Sequence, residues 1–269
     1  MQSHLNTRQP ILETTDLCGG YYHSEIIRDF SCTVNPGDFI GFIGPNGSGK
    51  TTLLRLLSRA LAFAKGNIFF KGQPVSSIGL KAFARKAAFV PQETAVNFPF
   101  TVAEIVLLGR IPHLKRMHSE TRNDIQIAEH AMELTDTLHL KEKNITEISL
   151  GERQRVIIAK AIAQQPELLF LDEPTAHLDI GHQIQILDLL KRLNRDQGLT
   201  IIMAIHDLNL AGAYCNRMVL LSRGKVFKEG HPKAVLTYQN IEAVYKTVVV
   251  VKDNPLNDKP YVLLVPQEK

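Results

Sequence analysis

Residues 44–51 read GPNGSGKT and match the pattern GxxxxGK[ST]. The apolar residues 39–43 before them predict a buried strand, and the leucines of residues 51–64 recur at helical spacing. A tight glycine-rich turn between a strand and a helix directs backbone N–H groups and the positive end of the helix dipole at one spot. The pattern therefore predicts a phosphate-binding loop at the edge of an α/β sheet.

The residue types in this loop indicate a nucleoside triphosphate as its ligand. The Lys50 ammonium would reach the β and γ phosphates, and the Thr51 hydroxyl would ligate Mg²⁺. The glycines permit the tight backbone path that turns the N–H groups inwards. The loop residues expected to bind ATP are Gly44, Pro45, Asn46, Gly47, Ser48, Gly49, Lys50, Thr51 and Thr52.

Two more apolar segments lead into polar side chains. Residues 168–171 predict a buried strand that ends at Asp172 and Glu173, and residues 200–205 predict another that ends at His206. Ligands of open α/β sheets bind beyond the carboxyl ends of the strands, so these side chains should face the phosphate loop. We expect Asp172 to hold Mg²⁺ through water. Glu173 would polarise the attacking water, and His206 would donate to the γ-phosphate.

Gln92 and Ser149 are weaker signals when each is considered alone. Gln92 follows the strand-like residues 89–90 and is a candidate to contact Mg²⁺ or the attacking water. Ser149 and Glu152 form an S-x-x-E capping box before a helix predicted over residues 152–165. Such a box is most often an ordinary helix cap, although the start of a capped helix also binds anions.

Composition excludes several other classes of protein. The 269 residues, 44% hydrophobic and 22% charged, suit one large domain or two small lobes and rule out a disordered chain. The net charge is only +4, and the absence of long runs of like charge argues against a nucleic-acid partner. The apolar runs are far shorter than the roughly 20 residues that cross a bilayer, and the polar start lacks a secretory signal. Three well-separated cysteines indicate a reducing, cytosolic compartment.

Taken in order, these motifs resemble those of the ATP-binding-cassette (ABC) ATPases. The matching features are an aromatic residue before the loop, the phosphate loop, Gln92, a signature-like segment at residues 149–154, the strand with its two carboxylates, and His206. Residues 176–179, AHLD, resemble the D-loop of that family. The resemblance covers almost the whole chain.

The resemblance implies an α/β fold: a RecA-like P-loop NTPase core with an N-terminal antiparallel β subdomain and an inserted α-helical subdomain. The chain would then be a single ABC ATPase domain. Its nucleotide-binding core would comprise residues 1–93 and 158–269. Residues 94–157 would form the helical subdomain that carries the signature motif.

The resemblance also implies a partner, since two such chains pair head to tail and enclose two ATP molecules. Asp179 would cross that interface. Tyr21 would stack on adenine, with Tyr22 as the alternative. The signature residues expected to face the partner's nucleotide are Ser149, Gly151 and Glu152.

One position departs from the family pattern. Residues 148–151 read Ile-Ser-Leu-Gly, whereas the family usually has Leu-Ser-Gly-Gly. Leu150 is bulkier than glycine and more restricted in φ. The approach of a ligand to the signature backbone and the packing around it can therefore differ from the family pattern. We expect a Leu150→Gly variant to keep or raise the ATPase rate.

The length of one segment and the sequence of three others favour the importer ATPases within this family. The segment between Gln92 and Ser149 is too short for the coiled coils of chromosome-maintenance and repair ATPases. Residues 97–102, 107–113 and 206–211 look like those of ATPase subunits that serve iron-siderophore, haem or cobalamin import. The alternatives are an importer ATPase for free manganese or zinc ions, a soluble ABC ATPase acting on nucleic acid, and a GTPase-like switch, for which the chain lacks the NKxD segment.

An importer subunit of this kind would lie on the cytoplasmic face of the membrane, held there by transmembrane permease subunits. The region from Gln92 to residue 117 would form the groove for the permease's coupling helix. An extracytoplasmic substrate-binding protein would act only indirectly, and no nucleic-acid partner is expected. His113 and His118 are interpreted as polar residues of an exposed loop rather than as metal ligands.

Overall fold

The computed structural model describes residues 9–22, 24–92, 98–115, 118–255 and 257–266. The strands are β1 (Leu12–Tyr21), β2 (Ser24–Val34), β3 (Phe39–Ile43), β4 (Lys65–Phe70), β5 (Gln73–Pro74), β6 (Ala87–Val90), β7 (Leu168–Asp172), β8 (Thr200–Ala204), β9 (Arg217–Ser222), β10 (Lys225–Gly230), β11 (Val249–Asp253) and β12 (Pro260–Leu264). The α-helices are α1 (Lys50–Leu57), α2 (Leu80–Ala84), α3 (Val102–Leu107), α4 (Arg122–Leu134), α5 (Leu150–Ala163), α6 (Ile180–Gln197), α7 (Leu208–Tyr214), α8 (Pro232–Val235) and α9 (Tyr238–Tyr245). Short 3₁₀ helices occupy Val75–Ser77, Leu108–Arg110, Leu138–Leu140 and Ile145–Glu147.

The larger sheet has the strand order β10-β9-β3-β8-β7-β6. Strands β9, β3, β8, β7 and β6 run parallel, and β10 pairs antiparallel at the edge. Every residue of β3, β7 and β8 is buried, as expected for parallel strands covered on both faces. This order brings the carboxyl ends of β3, β8 and β7 side by side, where the phosphate loop, His206 and the two carboxylates follow.

The smaller sheet is antiparallel, with the order β2-β1-β4-β5. Apolar side chains of β1, β2 and β4 pack with the leucines of α1 and one face of the larger sheet. The rings of Phe30 and Phe42 meet edge to face in this layer, with centroids 6.2 Å apart. The predicted α/β core with an N-terminal antiparallel β subdomain is confirmed.

The inserted helices form a layer in which α3, α4 and α5 pack against one another. Gly109 lies so close to α5 that a Cβ there would collide with the carbonyl oxygen of Lys160. The next residue, Arg110, is buried and reaches Asp124 of α4 and the Ala163 carbonyl at the end of α5. The predicted helical insertion is therefore present. Helix α5 runs without a break through residue 157, and the proposed subdomain boundary there stays a prediction.

Two helices end earlier than the sequence pattern predicts. The helix predicted over residues 51–64 ends at Leu57, since Arg59 adopts a left-handed φ of 62° and the Ala64 N–H bonds to the Cys18 carbonyl of β1. Apolar residues at helical spacing predict a second long helix over residues 122–140, but α4 ends at Leu134, with Asp136 at a left-handed φ of 53°.

The C-terminal part of the chain forms helices α8 and α9 and a β-hairpin. Helix α9 leads into the antiparallel hairpin of β11 and β12, which packs against α7. The Asn209 side chain of α7 makes two hydrogen bonds to the backbone of Val262 in β12. Nδ2 donates to the Val262 carbonyl at 3.1 Å, and Oδ1 accepts from the Val262 N–H at 2.7 Å. In the part of the chain that the structure describes, no helix has the length and apolar character to cross a membrane.

Candidate functional site

The loop between β3 and α1 is built on glycines with positive φ. Gly44, Gly47 and Gly49 have φ values of 145°, 75° and 103°, which side-chain-bearing residues rarely adopt. Helix α1 starts directly after Gly49, and no side chain caps its first N–H groups. These N–H groups and the helix dipole are therefore available to an anion at the loop, as the sequence pattern predicts.

The Lys50 side chain is folded back into this loop. Only 5% of the residue is exposed, and Nζ donates to the carbonyl oxygens of Gly44 at 2.8 Å and Pro45 at 3.2 Å. Burial lowers the pKa of Lys50, an effect opposed by the nearby carboxylates of Glu173 and Asp172. A phosphate would offer this ammonium a stronger, charged acceptor than two neutral carbonyls.

Asp172, at the end of β7, lies directly beside the loop. The Thr51 hydroxyl donates to its Oδ1 at 2.9 Å, while its buried Oδ2 has no hydrogen-bond partner. Burial raises the pKa of Asp172, and the Thr51 hydrogen bond works in the opposite direction. An unsatisfied buried carboxylate oxygen next to a hydroxyl oxygen is the kind of donor set that a hard divalent cation such as Mg²⁺ prefers, so these residues fit Mg²⁺.

The three predicted catalytic side chains meet in a single hydrogen-bonded group. Gln92 Nε2 donates to Glu173 Oε2 at 2.8 Å, and His206 Nε2 donates to the other oxygen, Oε1. Glu173 itself has a φ of 50°, a left-handed conformation that costs of order 1 kcal/mol or more and is concentrated at functional sites. Its N–H donates to the Ala204 carbonyl at the end of β8, which fixes this conformation.

One cavity of about 600 Å³ unites most of the predicted residues. Ile26 of β2 also lines it, and no sequence signal singled that residue out. Asp207 is a second residue that the sequence did not single out: its carboxylate caps α7 and so fixes the backbone just after His206. The residues lining the cavity are Ile26, Asn46, Gly47, Gly49, Lys50, Thr51, Thr52, Gln92, Glu173 and His206.

The two candidate adenine-stacking residues lie apart from this lining. Tyr21 is half-buried at the end of β1, where its hydroxyl accepts a hydrogen bond from Arg55 Nη1 of α1 at 2.8 Å. Tyr22 is fully exposed. The link to α1 keeps Tyr21 close to the helix that follows the phosphate loop, and its stacking role stays a prediction.

Ser149 and Glu152 of the signature line a different cavity, of about 530 Å³, together with His182 of α6. Ser149 and Glu152 form the predicted capping box: the Ser149 Oγ accepts from the Glu152 N–H at 3.3 Å, and Glu152 Oε2 accepts from the Ser149 N–H at 2.8 Å. Asp179 caps α6 by accepting from the His182 N–H at 2.9 Å. The starts of α5 and α6 are thus capped by side chains of the same chain.

Leu150 and Gly151 differ in the room around them. Leu150 is the first residue of α5, is 51% exposed and has no left-handed φ, so the backbone conformation does not require glycine at this position. Gly151 is buried, and a Cβ there would lie only 2.8 Å and 2.9 Å from Cγ and Nε2 of His182. A side chain at position 151 would therefore require the His182 ring to move.

The two loop histidines differ in their surroundings. His113 Nε2 donates to the Gln164 carbonyl at 2.9 Å, and burial lowers the pKa of this imidazole. His118 is exposed. Residues 93–97, which include the first residue of the segment likened to importer subunits, lie outside the described residues.

Comparison with known proteins gives the family. The ABC transporter family model matches residues 27–176. The chain belongs to the ABC transporter family. It is 40% identical over 96% of its length to the uncharacterized ABC transporter ATP-binding protein YvrA of Bacillus subtilis, of which it spans 58%. It is 38% identical over 96% of its length to the iron(3+)-hydroxamate import ATP-binding protein FhuC of the same organism, of which it spans 97%.

A solved structure agrees with this membership. A chain from a transporter assigned to the metal-chelate type, in an inward-facing conformation, superposes with a TM-score of 0.84 at 30% identity. The match covers 97% of this chain and 98% of the other. The ABC cassette fold is therefore shown over nearly the whole chain.

Proposed function

We propose that this ABC family member is the ATP-hydrolysing subunit of an importer and that its cargo is a metal chelate such as an iron-siderophore, haem or cobalamin. One observation supports ATP hydrolysis: a single cavity is lined by the hydrogen-bonded group of Glu173, Gln92 and His206 and by Lys50 and Thr51 of the phosphate loop. The import class rests on similarity to FhuC and to the metal-chelate type transporter.

ATP binding would begin with an exchange of hydrogen bonds at Lys50. The ammonium leaves the Gly44 and Pro45 carbonyls and pairs with the β and γ phosphates, while the loop N–H groups and the start of α1 bind the remaining phosphate oxygens. Tyr21 would stack on the adenine from the end of β1. These contacts would place the γ-phosphate in the cavity that Glu173 also lines.

Thr51, Asp172 and Gln92 would hold Mg²⁺. This cation would neutralise charge on the β and γ phosphates during transfer. The unpartnered Oδ2 of Asp172 is the observation that supports this assignment, because a buried carboxylate oxygen without a donor is otherwise costly.

Hydrolysis needs one oxygen of Glu173 to accept a proton from water. Each Glu173 oxygen accepts one hydrogen bond in this structure and keeps a lone pair that can accept from water, so Gln92 can hold the carboxylate in place while water is oriented for attack. The water oxygen then bonds to the γ-phosphorus as the bond to the β–γ bridging oxygen breaks, and the proton passes to Glu173. His206, freed from Glu173, would donate to the γ-phosphate.

A second copy of the chain would complete the site. Ser149, Gly151 and Glu152 lie at the start of α5, none of them lines the cavity at the phosphate loop of their own chain, and the helix start suits an anion. In a head-to-tail dimer this end of α5 would meet the γ-phosphate of the partner, and Asp179 would cross the interface. ATP binding would thereby close the dimer, and hydrolysis would release it.

Large apolar side chains exposed around the helical insertion support docking to permease subunits. Phe98 and Phe100 are 67% and 45% exposed, with ring centroids 6.2 Å apart. Leu80 of α2 and Ile111 are also exposed, and Arg85 Nε ties α2 to the Pro112 carbonyl at 2.7 Å. Docking there would hold the subunit at the cytoplasmic face of the membrane, with an extracytoplasmic binding protein acting indirectly.

The Glu173→Gln variant tests the enzymatic proposal. It should bind ATP, accumulate as a dimer in size-exclusion chromatography and lose ATPase activity by a factor of roughly 10² or more. Glu133→Gln is the matched control: it makes the same change at an exposed carboxylate of α4 and should keep the activity. An undiminished rate in Glu173→Gln would remove Glu173 from the mechanism.

The importer proposal has a separate test. Co-purified permease subunits in membranes should stimulate the ATPase rate, whereas RNA or DNA should not. Stimulation by nucleic acid and not by any membrane partner would favour a soluble ABC ATPase instead.

A further inference from the structure

The His182 side chain lies between the two segments that the dimer proposal directs at a second copy. Its Nδ1 is 2.8 Å from Asp179 Oδ2, and its backbone N–H donates to Asp179 Oδ1 at 2.9 Å. The opposite side of the ring faces Gly151, where a Cβ would meet Cγ at 2.8 Å and Nε2 at 2.9 Å. One imidazole therefore touches both the D-loop aspartate and the signature glycine.

These contacts fix the orientation of Asp179. A carboxylate only accepts hydrogen bonds, so Nδ1 carries the proton and donates it. The backbone and side-chain hydrogen bonds from His182 lower the pKa of Asp179, which keeps this carboxylate charged. Since each oxygen has its own donor on His182, the carboxylate cannot rotate without breaking one of the two bonds.

A second contact joins α5 and α6 beside the ring. Arg155 Nη1 of α5 donates to Gln185 Oε1 of α6 at 3.0 Å, one turn further from the helix starts. Together with His182, this contact lines the cavity that also includes Ser149 and Glu152. The starts of the two helices are thus tied at two successive levels.

We propose that His182 is a positioning residue that fixes Asp179 and the signature end of α5 relative to each other, so that they meet a second copy as one unit. This inference rests on the proposed function, because the two segments contact a nucleotide only in the composite site. It also accounts for the signature sequence of this chain: a side chain at position 151 would displace the ring, whereas Leu150 is exposed.

Two substitutions separate the roles of the ring and of its donor. His182→Asn keeps a donor for Asp179 but has no ring over Gly151, and His182→Phe keeps the ring but has no donor. In a Glu173→Gln background, His182→Phe should raise the dissociation constant of the ATP-bound dimer roughly tenfold, the value of one hydrogen bond to a charged group. His182→Asn should also raise it, because the contact of the ring with Gly151 is lost. The affinity of dilute monomer for a fluorescent ATP analogue should stay unchanged.

His130→Ala is the matched control, because His130 forms a similar pair with Glu133 three residues on, along α4. It should change neither quantity. If both His182 variants form the ATP-bound dimer with the same dissociation constant as Glu173→Gln alone, the proposal is overturned. A parallel loss of monomer nucleotide affinity would overturn it as well, since that result would indicate a general structural role.

A double-mutant cycle tests the contact with Gly151 directly. Gly151→Ala alone should displace the ring and weaken the dimer about as much as His182→Ala does. The double variant should be no weaker than either single one, because the methyl group then occupies the space of the missing ring. Additive losses would contradict the contact. Failure of Glu173→Gln alone to form an ATP-dependent dimer would instead count against the proposed function.

Discussion

Replacing Arg110 with Met should lower the free energy of unfolding by about 3–5 kcal/mol, the usual cost of removing one partner from a buried ion pair. Arg110 is 3% exposed, and its Nε lies 3.0 Å from Asp124 Oδ1. Its Nη1 also donates to the Ala163 carbonyl at 2.7 Å and to Gln165 Oε1 at 3.1 Å. Met retains an apolar stem of similar length, so most of the loss would come from the unpaired carboxylate and carbonyl rather than from a cavity.

The control is Arg195→Met, which breaks an ion pair with Asp196 whose side chains are 72% and 48% exposed. An exposed pair of this kind contributes about 0–1 kcal/mol. Urea unfolding followed by circular dichroism compares the two variants. The double variant Arg110→Met, Asp124→Asn should be more stable than Arg110→Met, because the unpaired charge is gone. A loss below about 1 kcal/mol for Arg110→Met would refute this reasoning.

Two more predictions follow from the same regions. Leu150→Gly should lower the free energy of unfolding by at most about 1 kcal/mol, the propensity difference at an exposed helix start, and should keep or raise the ATPase rate; a tenfold drop in that rate would contradict it. Hydrogen bonds from Thr121 and the Arg110 ion pair lower the pKa of Asp124 from 3.8 to about 2. The charged Asp124 carboxylate therefore stabilises the folded protein above its unfolded-state pKa of 3.8, and this stabilisation is lost as pH falls through about 2. Asp124→Asn should lose part of the acid dependence of unfolding between about pH 5 and 2. An unchanged dependence would count against the Arg110–Asp124 ion pair.

The periodicity of apolar residues predicted the sheet well and the helix ends poorly. Strands β3, β7 and β8 are continuous apolar runs, and burial on both faces follows from that composition. The end of α1 depends instead on a left-handed Arg59 and on the bond between the Ala64 N–H and the Cys18 carbonyl. That bond joins residues far apart in the sequence, so a local pattern does not contain it.

The site was predictable where a strand leads directly into a polar residue. The rule that ligands bind at the carboxyl ends of parallel strands was enough to bring Asp172, Glu173 and His206 together. The hydrogen bonds that join Glu173 to Gln92 and His206 depend on the left-handed φ of Glu173, which has no sequence signal. The contact of His182 with Gly151 depends on how the starts of α5 and α6 lie relative to each other, and only coordinates give that distance.

The central claim is that each complete site needs two copies of the chain. The most direct measurement is the ATPase rate per mole of chain at saturating ATP, followed over a roughly thousandfold dilution of the purified protein. The account predicts that this specific activity falls on dilution as the dimer dissociates and returns on concentration. A specific activity that stays constant to the most dilute sample, where size-exclusion chromatography shows only monomer, would contradict it.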